Sequence, residues 1–385
     1  MQKRIYLDYA ATTPLDPRVE KSMQPYYRDD FGNTMSLHSF GQGAKLILEE
    51  SREAVADLMG AKSGEIFFTG SATESNNLAL KGIAFANKNK GKHIIISAIE
   101  HPCVVESSKW LKAQGFEITK VKVDKYGVVD PKEVQKAIKK DTILVSIIHA
   151  SNEIGTIQPI EQIGKICREK GVYFHTDASQ SLGKIPIDVI KMNIDLLTAS
   201  SHKMYGSKGA ACLFIREGVR IEPLLHGGGQ ESGLRSSTVN IPAIVGFAKA
   251  CQICKTEMEA EGQRLSKLRG KLIKGVLKIK GSYLNGHPTN RLPNNANFRF
   301  DFVEGESLII QLDLAGVAVS TGSACSSIKL EPSHVLMALG LKAEQAHGSM
   351  RVSLGRWTTE KDIDYLLKVL PGIIKQLRVI SPFKR

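Results

Sequence analysis

Over its first two hundred residues the chain alternates short apolar runs with longer stretches whose apolar positions recur every three or four residues. The runs at 66–69, 93–97, 118–123, 143–148, 172–176 and 196–199 have the length of buried strands. Helix-like segments separate them, such as 44–59 before the first and 159–170 before the fifth. Alternation of this kind predicts an α/β fold, with a mostly parallel sheet covered by helices on both faces. Beyond Gly227-Gly228-Gly229 the rhythm changes. A long charged helix is expected over 244–277, then a Pro/Asn-rich stretch at 290–297 and a smaller α+β region. A boundary inside that helix would leave a large domain at 15–257 and a small one at 258–385, joined by residues 1–14. No internal repeat or low-complexity tract interrupts this plan.

In an open parallel sheet, ligands bind outside the carboxyl ends of the strands, so the residues after each run are candidates. They are Gly70-Ser71-Ala72-Thr73-Glu74, Glu100-His101-Pro102, His149-Ala150-Ser151-Asn152-Glu153, Asp177-Ala178-Ser179-Gln180 and Ser200-Ser201-His202-Lys203. Each has a plain explanation on its own. The first is an ordinary capped turn, Asp177 a helix cap, and Lys203 one half of a buried ion pair. Together they bring an anion cradle, imidazoles, an amide, a carboxylate and a lysine to one edge. That set suits a Schiff-base lysine, Lys203, with Asp177 facing a pyridinium nitrogen, as pyridoxal phosphate chemistry requires.

Composition narrows the setting. The 385 residues are 42% hydrophobic and 24% charged, which excludes wholesale disorder. No apolar run approaches the roughly 18 residues of a membrane span. No secretory signal follows Met1, so no membrane association and a cytoplasmic location are expected. The net charge of +13 is scattered, as at Lys88, Lys90 and Lys92 or along 267–280, and no aromatic residues interleave with it. Solvated helix faces account for that pattern, and no direct nucleic-acid binding is expected. The six cysteines read as reduced thiols. Cys251 and Cys254 lack the further ligands a structural zinc site needs and are expected to pack a helix. Cys325 differs, because it sits among small polar residues rather than in an apolar run.

With these motifs in hand, the sequence resembles the cysteine desulfurases of the NifS/IscS type, in the class V aminotransferase group. The matching blocks are Tyr6-Leu7-Asp8-Tyr9-Ala10-Ala11-Thr12-Thr13, Phe68-Thr69-Gly70-Ser71-Ala72-Thr73-Glu74-Ser75-Asn76-Asn77 and Asn152-Glu153-Ile154-Gly155-Thr156. Further along come Ser201-His202-Lys203, Gly227-Gly228-Gly229-Gln230-Glu231, Ser320-Thr321-Gly322-Ser323-Ala324-Cys325 and Leu330-Glu331-Pro332-Ser333-His334. The last is His347-Gly348-Ser349-Met350-Arg351-Val352-Ser353, ahead of Leu354-Gly355-Arg356.

The resemblance implies a pyridoxal-phosphate-dependent transferase of fold type I, with pyridoxal 5'-phosphate as cofactor and L-cysteine as substrate. It assigns Lys203 to the cofactor aldehyde and the substrate α-proton, Asp177 to the ring nitrogen and Gln180 to the phenolic oxygen. His101 stacks on the ring and serves as an acid/base. Ala72, Thr73, Ser200 and His202 hold the phosphate, with Thr238 reaching in from the other subunit of a homodimer. Asn152 and Arg351 receive the substrate carboxylate, and Asn152 also touches the cofactor. Cys325 takes the sulfur as a persulfide, for iron–sulfur cluster assembly and tRNA thiolation. A U-type scaffold protein is the expected acceptor among several, with Cys325 as a transient iron–sulfur ligand shared with it.

A selenocysteine lyase or another class V aminotransferase would share the cofactor site, but an aminotransferase has no use for Cys325. An RNA-binding relative that has lost catalysis is disfavoured by the intact Lys203, Asp177 and Cys325. Some positions depart from the family pattern. Thr34 and Met35 replace a usual proline and serine, and Ser237 stands where glycine is common. Ser207 replaces a proline and implies a looser turn after Lys203. Cys103, two residues from His101, is expected to pack its helix.

Overall fold

The computed structural model describes residues 4–321 and 331–381. It opens with a two-residue strand, β1 (Ile5–Tyr6). Seven strands then build the central sheet: β2 (Ile66–Thr69), β3 (His93–Ser97), β4 (Glu117–Val121), β5 (Thr142–Ser146), β6 (Tyr173–Asp177), β7 (Leu196–Ser200) and β8 (Ala211–Ile215). Their spatial order is β2-β8-β7-β6-β5-β3-β4. Neighbours pair in parallel, except that β8 runs antiparallel to both β2 and β7. The six expected strands are present to within one or two residues. β8 was not expected, because its apolar run follows Lys203 after a loop of only seven residues and carries no crossover helix.

The period-two geometry of strands sends alternate side chains into two cores. Ile95 of β3 and Cys212 and Phe214 of β8 enter the core beneath the helices Ser39–Met59, Ile160–Lys170 and the first half of Ile241–Val276. Their neighbours Ile94, Ile96, Leu213 and Ile215 enter the core on the other face, with Leu80, Val104 and Leu111. Both faces of the sheet are therefore covered.

A separate core forms around a small antiparallel sheet, in which β10 (Asn295–Phe300) lies between β9 (Ser282–Asn285) and β12 (Ser349–Ser353). Ile5 and Leu7 belong to this core, and β1 pairs in parallel with β11 (Val317–Ala318). The 36-residue helix Ile241–Val276 serves both cores. Residues between Ile241 and Cys254 pack under the large sheet, and Leu265, Leu272 and Val276 pack with the small one. Cys251 and Cys254 are buried packing residues.

The turn after β7 is tight. Tyr205 has φ of +67°, and a Cβ on Gly206 would lie 2.0 Å from Ser201 Oγ. Ser207 is buried and donates from Oγ to Ala243 O at 3.0 Å, so the expected looser turn is replaced by one tied to the long helix.

Candidate active site

The carboxyl ends of the parallel strands open on a cleft of about 250 Å³ that gathers residues from every expected loop. A larger groove of about 850 Å³, around Lys62 and Glu217, lies at the opposite ends of the strands and contains none of the candidate residues.

Asp177 ends β6 and is buried at the base of the cleft. Its Oδ1 accepts from Ser179 N at 2.9 Å and Ser179 Oγ at 2.6 Å, and its Oδ2 accepts from Asn76 Nδ2 at 2.7 Å. Three donors thus fix the carboxylate in place. Lys203 closes the short turn Ser201–Lys203 after β7. Its Nζ donates to Ala10 O and Ala11 O, both at 2.7 Å. Gln180 Nε2 donates to the same Ala10 carbonyl at 2.9 Å. His202 Nδ1 lies 3.0 Å from Thr12 Oγ1, and Thr13 donates to the His202 carbonyl. Residues 8–13 thus form one wall of the cleft. Sequence reasoning gave this block no role, although it is one of the matching motifs.

Burial holds the His202 imidazole down to about 4, and Lys203, Lys208 and Lys184 press it in the same direction, so the ring is neutral at pH 7. Ala72 and Thr73 begin the helix Ala72–Asn77, capped by Ser71, whose Oγ accepts from Glu74 N at 3.1 Å. The first amides of a helix have no partner within it, so this end offers donors to an anion.

At the other end of the cleft, Arg351 of β12 is buried. Its Nη2 pairs with Asp8 Oδ1 at 2.8 Å and its Nη1 donates to Asn152 O at 3.2 Å. Nε has no partner among the described residues. Ser320 and Arg351 exchange backbone hydrogen bonds of 3.2 and 2.7 Å. Ser333 Oγ donates to Glu153 Oε2 at 2.5 Å, and His334 Nε2 lies 2.9 Å from Glu100 O. The two described flanks of the Cys325 segment are therefore fixed beside the cleft. Cys325 itself lies outside the described residues. Ser200 is buried at the end of β7 without lining the cleft, and Thr238 is exposed away from it.

His101 caps the helix Pro102–Ala113, with Nδ1 accepting from Cys103 N at 3.2 Å. Burial lowers its pKa, Asp177 partly restores it, and Lys203 and His334 add to the lowering. Cys103 packs its helix as expected, but its Sγ also faces the cleft. Asn76, one turn beyond the Ser71 cap, had no assigned role, yet it is fully buried and holds Asp177.

Beside His101, burial pushes the Glu100 carboxyl from 4.5 up to about 8, while Ser97 Oγ and Ile148 N donate to it and Asp177 adds to the rise. The folded pKa exceeds the unfolded one. Stability linked to Glu100 is therefore complete below about pH 4.5 and is lost as pH rises through about 8. Relative to a Glu100→Gln variant, the wild-type thermal midpoint should fall progressively between about pH 5 and 8.5. Parallel curves for the two proteins over that window would contradict a buried, proton-bearing Glu100.

Comparison with known proteins places this geometry. Residues 5–366 match the family model described as aminotransferase class V. A cysteine desulfurase IscS of Dictyoglomus turgidum is 53% identical over 386 residues, covering 100% of this chain and 98% of the relative. The solved structure of a NifS-like protein superposes with a TM-score of 0.92 at 40% identity, covering 97% of this chain and 100% of the other. A structure described as SspA in complex with cysteine gives a TM-score of 0.82 at 37% identity, covering 92% and 100%. The chain belongs to the class V aminotransferase family of enzymes, among the cysteine desulfurases.

Proposed function

We propose that the enzyme converts L-cysteine to L-alanine with pyridoxal 5'-phosphate as cofactor, storing the sulfur as a persulfide on Cys325 for iron–sulfur cluster assembly. The observation that carries this reading is the convergence of Lys203, Asp177, Gln180, His101, Asn152 and Arg351 on one cleft. The donor set suits the cofactor. The buried Asp177 carboxylate matches a protonated ring nitrogen, Gln180 the phenolic oxygen and Lys203 Nζ the aldehyde carbon. Ala72, Thr73, Ser200 and His202 would hold the phosphate, with Thr238 supplied by a partner subunit. When bound, the cofactor supplies an electron sink that stabilises negative charge at the substrate α-carbon.

The protein's own residues do the rest. Arg351, braced by Asp8 and the Asn152 carbonyl, receives the substrate carboxylate with Asn152 and so fixes the α-proton near Lys203. Lys203 Nζ, half-buried and held by two carbonyls, moves that proton. His101 serves as a neighbouring acid/base. The Cys325 thiolate attacks the substrate sulfur, forming an S–S bond as the Cβ–S bond breaks. The released electron pair stays on carbon and takes up a proton, giving the alanine methyl. Cysteine plus enzyme thiol thus gives alanine plus enzyme persulfide, with no external oxidant.

A homodimer is supported by exposed apolar side chains at Tyr27, Phe31, Met35, Leu37 and Phe40, together with the exposed Thr238. The division into a 15–257 domain and a 258–385 domain with residues 1–14 is supported by the way the cores separate. No helix among the described residues is long and apolar enough to cross a membrane. A cytoplasmic location is proposed on the likeness to the desulfurases alone. Its sulfur acceptor is proposed to be a U-type scaffold, with Cys325 as the shared thiolate.

The test is to incubate the cofactor-loaded enzyme with L-cysteine and a reductant, measuring alanine and sulfide, and to locate the added sulfur by peptide mass spectrometry. Equal yields of alanine and sulfide are expected with the reductant, and one extra sulfur on the Cys325 peptide is expected in a parallel reaction without it. A loaded protein that releases no alanine would sink the proposal.

A further inference from the structure

Cys103 and Asn76 have no place in the reaction as derived, yet both lie against groups that do. His101 Nδ1 lies 3.2 Å from Cys103 N and 3.0 Å from Cys103 Sγ. A backbone N–H can only donate, so Nδ1 must offer its lone pair, and the neutral imidazole carries its proton on Nε2. The thiol then has one consistent arrangement, with its hydrogen directed to the same nitrogen. Cys103 Sγ in turn accepts from Asn76 Nδ2 at 3.1 Å. The same amide nitrogen donates to Asp177 Oδ2 at 2.7 Å. Turning the Asn76 amide over would set its oxygen against the Asp177 carboxylate, so its orientation is fixed. Its Oδ1 is left buried without a partner among the described residues.

We propose that Cys103 is a positioning residue that holds His101 in the Nε2–H tautomer, and that Asn76 couples this imidazole to the Asp177 carboxylate through a single amide nitrogen. The role of the coupling rests on the cofactor reading of the cleft. Protonating His101 at Nδ1 would set the new hydrogen against both the Cys103 N–H and S–H. Burial, which pushes the Cys103 thiol up to about 12, keeps the S–H in place at neutral pH. The other groups that bear on His101 are Asp177 at the end of β6, Lys203 after β7, and His334 on the helix His334–Ala338. Asp177 favours the protonated imidazole, and the other two oppose it. Glu100 precedes His101 and is mostly uncharged at pH 7. None of these changes in a Cys103 variant, so a shift there reports the thiol.

The experiment uses the cofactor-loaded enzyme with histidine labelled by 15N. The His101 signals are identified by their loss in His101→Gln, and its ring nitrogen shifts are followed against pH. The wild type should show the Nε2–H tautomer. Cys103→Ala should raise the His101 pKa by about one unit, a tenfold gain in the ratio of protonated to neutral ring at a given pH. Cys103→Ser, which keeps a donor of similar reach, should restore the wild-type value and also controls for folding. Asn76→Ala touches no atom of the ring, yet it should move His101 in the same direction. A wild-type ring protonated on Nδ1, or a Cys103→Ala enzyme with unchanged shifts and pKa, would overturn the proposal. Cofactor loading is read separately from visible absorbance. Loss of loading with an intact Cys103 effect would count against the functional reading, and normal loading without the effect would count against this one.

Discussion

Lys203→Ala should lower alanine release from L-cysteine by at least about 10³-fold, within the range general acid–base groups contribute, and should abolish the visible absorbance of lysine-bound cofactor. The size of the effect follows from the double duty proposed for one nitrogen, which holds the aldehyde carbon and then moves the α-proton. Two of its described neighbours are unsuited to replace it. Gln180 shares the Ala10 carbonyl with Lys203 but carries no titratable amine, and the burial-depressed His202 imidazole is held by Thr12. Removal also leaves the Ala10 and Ala11 carbonyls without the Lys203 donor, at a cost of about 1–3 kcal/mol. A lowered thermal midpoint should accompany the lost activity. Partial recovery with a small added amine would show that the missing group is the nitrogen. Persistence of the lysine-bound absorbance in the variant would refute the assignment.

Cys325→Ala should fail at a different point. The substrate docking proposed for Arg351 and the proton movement proposed for Lys203 do not require the thiol, so the variant should keep its cofactor spectrum and still respond spectrally to L-cysteine. Sulfide and alanine production should nevertheless fall by about 10³-fold or more, the scale on which loss of a covalent nucleophile is felt. No sulfur should be found on the 325 peptide. The described cysteines are poorly suited to take over: Cys167, Cys212, Cys251 and Cys254 are buried in the core, and burial keeps Cys103 protonated. Undiminished alanine release from the variant would exclude Cys325 as acceptor.

How much of this was visible beforehand depends on the range of the interactions. Strands such as β3 and β5 are legible because a strand buried on both faces reads as an apolar run, whereas the partly exposed edge strand β4 mixes polar with apolar residues. The residues after each strand occupy the same sheet edge by topology alone. That logic located Ala72, His101, Asn152, Asp177 and Lys203. β8 is not legible in this way, because an antiparallel return needs no crossover helix and so leaves no break in the rhythm. The wall at residues 8–13 was recognisable only as a family block. Its role comes from bonds to residues more than 160 positions away, such as Gln180 to Ala10 and Arg351 to Asp8. Asn76 was missed for a related reason: an asparagine in the first turns of a helix looks like a surface polar residue until Asp177 is seen against it.

The wall also sets a timetable for assembly. Residues 4–13 are made before their partners: β1 pairs with β11, and Ala10 N is held by Ser353 Oγ at 2.8 Å across 343 positions of sequence. Closing so long a loop is slow, and its partners are made long after the residues of the wall. Lys203 is synthesised midway and must wait for its carbonyl acceptors to be drawn back by the last strands. The nascent chain can therefore fold its large sheet early, while cofactor capture has to wait until Ser353 has emerged.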